Sequence, residues 1–198
     1  MLSKQNRQNH AVFLDRDGVI NPLVWNLRYQ TYDSPHVPEE ISLLPGVAES
    51  IVLLEKAEYF LIVVSNQPSA AKGKCSLADL KAVHEQLERL IFEKTNLKLK
   101  DYFYCYHHPE SVDPGLKKRC LCRKPGNELF KIAAKKYNID MASSWMVGDR
   151  DVDIAAGKNS KTRTILLDYP CSKDQRQKNE ADFLAQDLKS AVEIILGS

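Results

Sequence analysis

The sequence predicts an α/β protein: a doubly wound, Rossmann-like parallel sheet held between two layers of helices as a three-layer α/β/α sandwich. Two observations predict it. Short apolar runs rich in Val, Ile, Phe and Leu recur at residues 11–14, 60–64, 102–105, 144–147 and 164–167, which suits strands buried on both faces. Segments with helical periodicity lie between and after them, at 47–56, 77–93, 128–137, 151–156 and 181–196. Strand and helix therefore alternate, and right-handed crossovers follow. At 198 residues the chain suits one compact domain, 1–198, without room for a second independent core.

Composition narrows the function classes. Lys plus Arg total 28 against 26 Asp plus Glu, so a net charge of +2 creates no field for a polyanion, and nucleic acid is not expected as a partner. The stretch 1–10 is polar, and no later run approaches the ~18 apolar residues of a membrane span. No membrane association is expected; the reading is a cytoplasmic protein, monomeric for want of a heptad pattern or apolar seam. Five cysteines are an odd number, and Cys105, Cys120 and Cys122 cluster with histidines, which favours metal binding by reduced thiolates over disulfides. Cys75 and Cys171 have no such pairing and read as ordinary thiols.

In a doubly wound sheet ligands sit beyond the carboxyl ends of the strands, so the polar residues that end each apolar run are the first candidates: Asp15, Ser65, His107 and Asp149. The first run ends in Asp15-Arg16-Asp17-Gly18-Val19-Ile20-Asn21, with carboxylates at alternate positions that can converge on one small volume. Taken alone, Asp-x-Asp is also a common solvated turn. In this context the segment resembles the first motif of the haloacid dehalogenase superfamily. The resemblance implies that Asp15 is a nucleophile that forms an aspartyl-phosphate and that Asp17 is the general acid and base. Two carboxylates facing a phosphate dianion repel it, so a divalent cation is required, and hard oxygen ligands favour magnesium.

The second run ends in Ser65-Asn66-Gln67, where the Ser65 hydroxyl and the following N–H can donate to a transferring phosphoryl group and Asn66 can meet the substrate. The fourth gives Gly148-Asp149-Arg150-Asp151-Val152-Asp153, similar to the family's acidic motif. Gly148 is expected to permit a tight turn and Asp149 to point back at Asp15. The resemblance implies a magnesium site made by Asp15, Asp149 and the backbone carbonyl of Asp17. Asp153 is open between a supporting role in the site and a plain helix-dipole partner. Lys124 in Arg123-Lys124-Pro125 matches the family's lysine motif and would balance the phosphoryl oxygens.

The third run leads into Cys105-Tyr106-His107-His108, and Cys120-Leu121-Cys122 follows after a polar loop. Residues two apart in extended chain share a face, so each pair offers two ligands, and four N and S ligands suit a closed, structural, tetrahedral zinc site. His108 competes with His107; His107 is preferred because it stands in the family's Cys-x-His position, and His108 faces the opposite way from Cys105. The ion would fix the projection of Arg123 and Lys124. These motifs place the resemblance among the zinc-loop phosphatases of the superfamily, over roughly residues 11–168.

Two irregular stretches, 21–45 near the expected site and the zinc loop 105–122 with its continuation to 125, are too short for a full helical cap domain. They should wall an open site that admits a small phosphorylated sugar. The resemblance implies a heptose bisphosphate first and histidinol phosphate as the alternative. A second phosphate would be held by Arg123, with Arg28, Lys72 and Lys74 as further candidates. A rival of another class is a non-catalytic zinc-ribbon interaction module, which the near-neutral charge and the full set of acids disfavour.

Overall fold

The computed structural model describes residues 8–178 and 180–197; residues 1–7 of the polar stretch 1–10 lie outside them. In chain order the elements are β1 (Ala11–Leu14), β2 (Val24–Asn26), β3 (Thr31–Asp33), α1 (Val47–Lys56), β4 (Phe60–Asn66), α2 (Leu77–Thr95), β5 (Asp101–Cys105), α3 (Glu128–Tyr137), β6 (Trp145–Gly148), α4 (Asp151–Asn159), β7 (Arg163–Leu167), β8 (Phe183–Ala185) and α5 (Leu188–Leu196). Six strands form a parallel sheet in the order β5-β4-β1-β6-β7-β8.

Both faces of the sheet are covered, which is why its strands read as unbroken apolar runs. In β1, Val12 and Leu14 face one layer and join Ile51 and Leu54 of α1, Val83 and Leu87 of α2, and Val192 and Ile195 of α5. Ala11 and Phe13 face the other and join Phe130 and Ala133 of α3 and Ala156 of α4. The Phe13 and Phe130 rings meet at 4.9 Å between centroids, within the range for favourable aromatic pairs. Helix ends follow local chemistry: Ser76 and Asp79 form a capping box that starts α2, and Asn96 at φ 57° stops it in a left-handed turn.

β4 and β6 flank β1 on either side, so the chain reverses its winding there and the carboxyl ends of these strands share one crevice. Asp15, Ser65 and Asp149 stand at those ends.

The structure departs from the sequence reading in two segments. Residues 181–196 are not one helix: β8 pairs with β7 through Ile165 and Phe183, and α5 begins only at Leu188. The start signal lay inside the expected helix, since the Asp187 carboxylate accepts from the Ser190 N–H at 2.8 Å and caps it. The stretch 21–45 is not irregular throughout, because β2 and β3 form an antiparallel hairpin in which Trp25 and Tyr32 are cross-strand partners, their rings edge-on at 5.2 Å. This hairpin is pinned at both ends. The Leu23 N–H donates to the Tyr169 hydroxyl at 3.1 Å, and the Ser34 hydroxyl donates to Asp17 Oδ2 at 2.9 Å. Among the described residues, no helix is long and apolar enough to cross a membrane.

Candidate active site

Three carboxylates and one ammonium meet at the crevice. Oxygens of Asp15, Asp149 and Asp153 lie within 4.8 Å of one another, and all three residues are buried. Lys124 Nζ stands 2.8 Å from Asp15 Oδ1 and 2.6 Å from Asp153 Oδ1, and it donates to the Val64 carbonyl at 2.7 Å. Burial works against the charged ammonium, but Asp15 and Asp153 outweigh it and raise Lys124 above its ordinary value. Burial first, then the neighbouring Asp153, push the Asp149 carboxyl up to about 8, and burial raises Asp153 against the pull of Lys124, with Asp15 adding to the rise. Lys124, with Arg150 at 3.7 Å from Asp149, leaves two cations against three acids, so the cluster is short of positive charge.

The donor set fits a hard dication. Neither oxygen of Asp149 has a hydrogen-bond partner among the described residues, and Arg150 Nε is 3.7 Å from Oδ2. Two unsatisfied oxygens in a buried carboxylate are costly unless an ion or water takes them up. Glycines make the room. Gly18 has φ 86°, and a Cβ there would fall 2.3 Å from Asp149 Oδ2. The chain bends directly after Gly148, whose φ is not in the left-handed region; a Cβ on it would fall 2.2 Å from Cβ of Asp153, so the glycine permits close approach. Asp153, left open by the sequence, does both things considered for it: Oδ2 accepts the Arg150 N–H at 3.0 Å to start α4, while Oδ1 faces Lys124.

The Asp17 side chain lies apart from the acidic trio. Its Oδ1 accepts from Arg16 Nε at 3.0 Å and Asn21 Nδ2 at 2.9 Å; its Oδ2 accepts from Gln67 Nε2 at 2.7 Å, Ser34 Oγ at 2.9 Å and Arg16 Nη2 at 3.2 Å. Burial opposes the carboxylate, yet Arg16 and these donors hold it below the usual range. Ser65 is buried at the end of β4 and accepts from Gln67 Nε2 at 3.0 Å. Asn66, the expected substrate contact, has both ends of its amide engaged by the Lys124 backbone: Nδ2 donates to the Lys124 carbonyl at 3.1 Å, and Oδ1 accepts the Lys124 N–H at 2.9 Å. Asn66 thus fixes the segment that carries the lysine.

Cations gather at the rim. Partial desolvation, then the like charge of Lys74, and beyond it Arg123 and Arg150, lower the Lys72 ammonium. Arg150 responds to the charges of Asp149, Asp15 and Asp153, so it stands beside the acids; sequence reasoning missed it, although it directly follows Asp149. Of the other candidates for a second phosphate, Lys74 is paired with Asp33, and Arg28 stacks on Tyr29 at 5.4 Å in the exposed hairpin.

The zinc ligands expected from spacing are brought together. Cys105 Sγ, His107 Nδ1, Cys120 Sγ and Cys122 Sγ lie within 4.8 Å of one another, and neighbouring pairs stand at 3.0 to 3.9 Å. Four ligands bound at about 2.0–2.3 Å in a tetrahedron would stand roughly 3.3–3.8 Å apart, so the cluster fits zinc. His108 is not part of it; its Nδ1 accepts the Glu110 N–H at 3.2 Å. Arg123 Nη1 donates to the His107 carbonyl at 3.4 Å, which ties the rim to the cluster. Cys75 and Cys171 are free thiols outside it.

Comparison with known proteins agrees with this geometry. A family model described as HAD-hydrolase-like matches residues 121–191. The D-glycero-beta-D-manno-heptose-1,7-bisphosphate 7-phosphatase of Helicobacter pylori is 31% identical over 161 residues, 80% of this chain and 83% of the relative. The protein of the same name from Salmonella typhi is 31% identical over 188 residues, 92% of this chain and 94% of its own. Among solved structures, the D,D-heptose 1,7-bisphosphate phosphatase of B. bronchiseptica, complexed with magnesium and phosphate, superposes with a TM-score of 0.77 at 27% identity, covering 95% of this chain and 98% of that one. The chain belongs to the family of haloacid dehalogenase-type phosphatases that contains the D-glycero-D-manno-heptose-1,7-bisphosphate 7-phosphatases.

Proposed function

We propose that this phosphatase removes the 7-phosphate of D-glycero-D-manno-heptose 1,7-bisphosphate in two displacements at phosphorus. In the first, an Asp15 oxygen forms a bond to phosphorus as the bond to the sugar oxygen breaks, and Asp17, protonated against the pull of Arg16, supplies the proton that the departing alkoxide takes. In the second, Asp17 takes a proton from water as that water attacks the aspartyl-phosphate, and inorganic phosphate leaves with Asp15 restored. Lys124 and the Ser65 hydroxyl with its following N–H hold the phosphoryl oxygens through both steps. Magnesium, held by Asp15, Asp149 and the Asp17 carbonyl, would offset the negative charge where nucleophile and phosphate meet. Zinc at Cys105, His107, Cys120 and Cys122 would be structural.

The observation that carries this reading is the buried Lys124 ammonium 2.8 Å from Asp15, beside an Asp149 carboxylate with free oxygens. The rim of Lys72, Arg123 and Arg150 supports a substrate with a second phosphate. It also separates the alternatives: histidinol phosphate carries a cationic amine, which this rim repels. Phosphate release from a panel of sugar phosphates and histidinol phosphate is expected to show the heptose bisphosphate ahead by at least about 100-fold in kcat/KM. Preference for histidinol phosphate would reverse the assignment. The reading also holds the protein to be a cytoplasmic monomer, which size-exclusion chromatography with light scattering tests for the oligomeric part.

The magnesium assignment has its own test. Gly18→Ala puts a methyl group into the oxygen of Asp149 and strains a left-handed backbone, so magnesium affinity should fall by at least about tenfold while the sheet survives. Calorimetric titration with magnesium reads this directly, and unchanged affinity would remove Asp149 from the ligand set.

A further inference from the structure

Gln67 is fully buried, and each polar group of its amide is engaged. Its Oε1 accepts from Arg16 Nη2 at 2.7 Å, and its Nε2 donates both to Asp17 Oδ2 at 2.7 Å and to Ser65 Oγ at 3.0 Å. Arg16 is itself 1% exposed and closes the ring by bonding Asp17 through Nε and Nη2. Its guanidinium sits 5.8 Å from the centre of the Tyr104 ring. Buried in this way, the Arg16 guanidinium has no surface for substrate.

We propose that Arg16 and Gln67 are positioning residues that orient two reacting groups at once: the carboxylate of Asp17 and the hydroxyl of Ser65. The chemistry of the amide gives the direction. Because Gln67 Nε2 occupies an acceptor position on Ser65 Oγ, the serine's own proton is left to point elsewhere, toward an incoming phosphoryl oxygen. Because Arg16 grips Asp17 with a two-pronged fork and Gln67 adds a third bond, the carboxylate is confined in plane and rotation, and a general acid misplaced by even 1 Å loses much of its effect. Both residues are too buried to meet the substrate and act only through Asp17 and Ser65.

This inference rests on the assignment of Asp17 as general acid, and the test separates the two. An alkyl phosphate needs its leaving oxygen protonated, whereas p-nitrophenyl phosphate releases a stable anion that does not. In the magnesium-loaded full-length protein, Asp17→Asn should depress alkyl phosphate turnover far more than aryl phosphate turnover. Gln67→Leu should lower kcat/KM about 100-fold for the alkyl substrate and no more than about fivefold for the aryl one. Arg16→Lys keeps the charge, loses the fork and should shift the same ratio in the same direction, which covers the case in which Gln67→Leu does not fold. If Asp17→Asn shifts the ratio and neither cradle variant does, the positioning role is wrong while the acid assignment stands. If Asp17→Asn leaves the ratio unmoved, the acid assignment and the inference fail together.

Discussion

Asp15→Asn should lose at least about 10⁴-fold in kcat and never form a phosphoenzyme, while remaining folded. The argument begins with charge. Asparagine keeps the shape of aspartate but its amide is a poor nucleophile toward phosphorus. It also removes one of the two buried acids that share Lys124. Breaking a buried ion pair usually costs several kcal/mol because the partner is stranded, about 3–5 in typical cases. Here Lys124 keeps Asp153 at 2.6 Å and the Val64 carbonyl at 2.7 Å, and the repulsion among the acids falls. The melting temperature of the ion-free variant should therefore stay within a few degrees of the parent. Phosphate release, mass spectrometry of the trapped protein and a melting curve decide it. Turnover within tenfold of the parent, or a covalent phosphoryl adduct on the variant, would end the case for Asp15 as nucleophile.

Removing zinc should cost stability and substrate affinity together, with a smaller effect on kcat. Apparent binding energies at structural zinc sites are about 10–16 kcal/mol in small peptides, and the cluster joins the end of β5 to the segment just before Lys124. Without the ion, three sulfurs are left adjacent with opposed tendencies: burial first, then close sulfur neighbours, raise Cys122, whereas hydrogen bonds from Cys122, the Arg123 backbone and Cys105 overcome burial and lower Cys120. Arg123 hangs on the His107 carbonyl at 3.4 Å and should lose its place. Lys124 has a second tether in the Asn66 amide, which grips its backbone at both N–H and carbonyl. A chelated sample or a Cys120→Ala/Cys122→Ala variant should therefore melt several degrees lower, with KM raised by at least about tenfold and kcat reduced less than that. A fall in kcat at unchanged KM would show that the metal governs the lysine and not the rim.

Much of this architecture was legible because the determinants were local. Runs at 11–14 and 47–56 gave element bounds that the structure matches, since burial on both faces removes polar residues from strands and amphipathic spacing survives in helices. The rule that ligands collect at strand ends led to Asp15, Ser65 and Asp149 because position in the chain suffices to apply it. What escaped the sequence depended on distant partners. Arginine is ordinarily a surface residue, and nothing local marks Arg16 as one of the most buried side chains in the protein. Gln67 acts through residues 51 and 50 positions away, on Arg16 and Asp17. The grip of Asn66 on the Lys124 backbone was invisible for the same reason, since Lys124 lies 58 residues on. β8 is three residues long, and its membership in the sheet comes from pairing with β7 more than from pattern.

The hairpin of β2 and β3 is secured where it leaves the crevice, at Leu23 on Tyr169 and at Ser34 on Asp17, while Trp25, Leu27, Tyr29 and Tyr32 between those fastenings face solvent. The tip is thereby mechanically insulated from what lies beneath it. Its solvent-facing side chains can be exchanged without disturbing either fastening or the carboxylate that Ser34 holds.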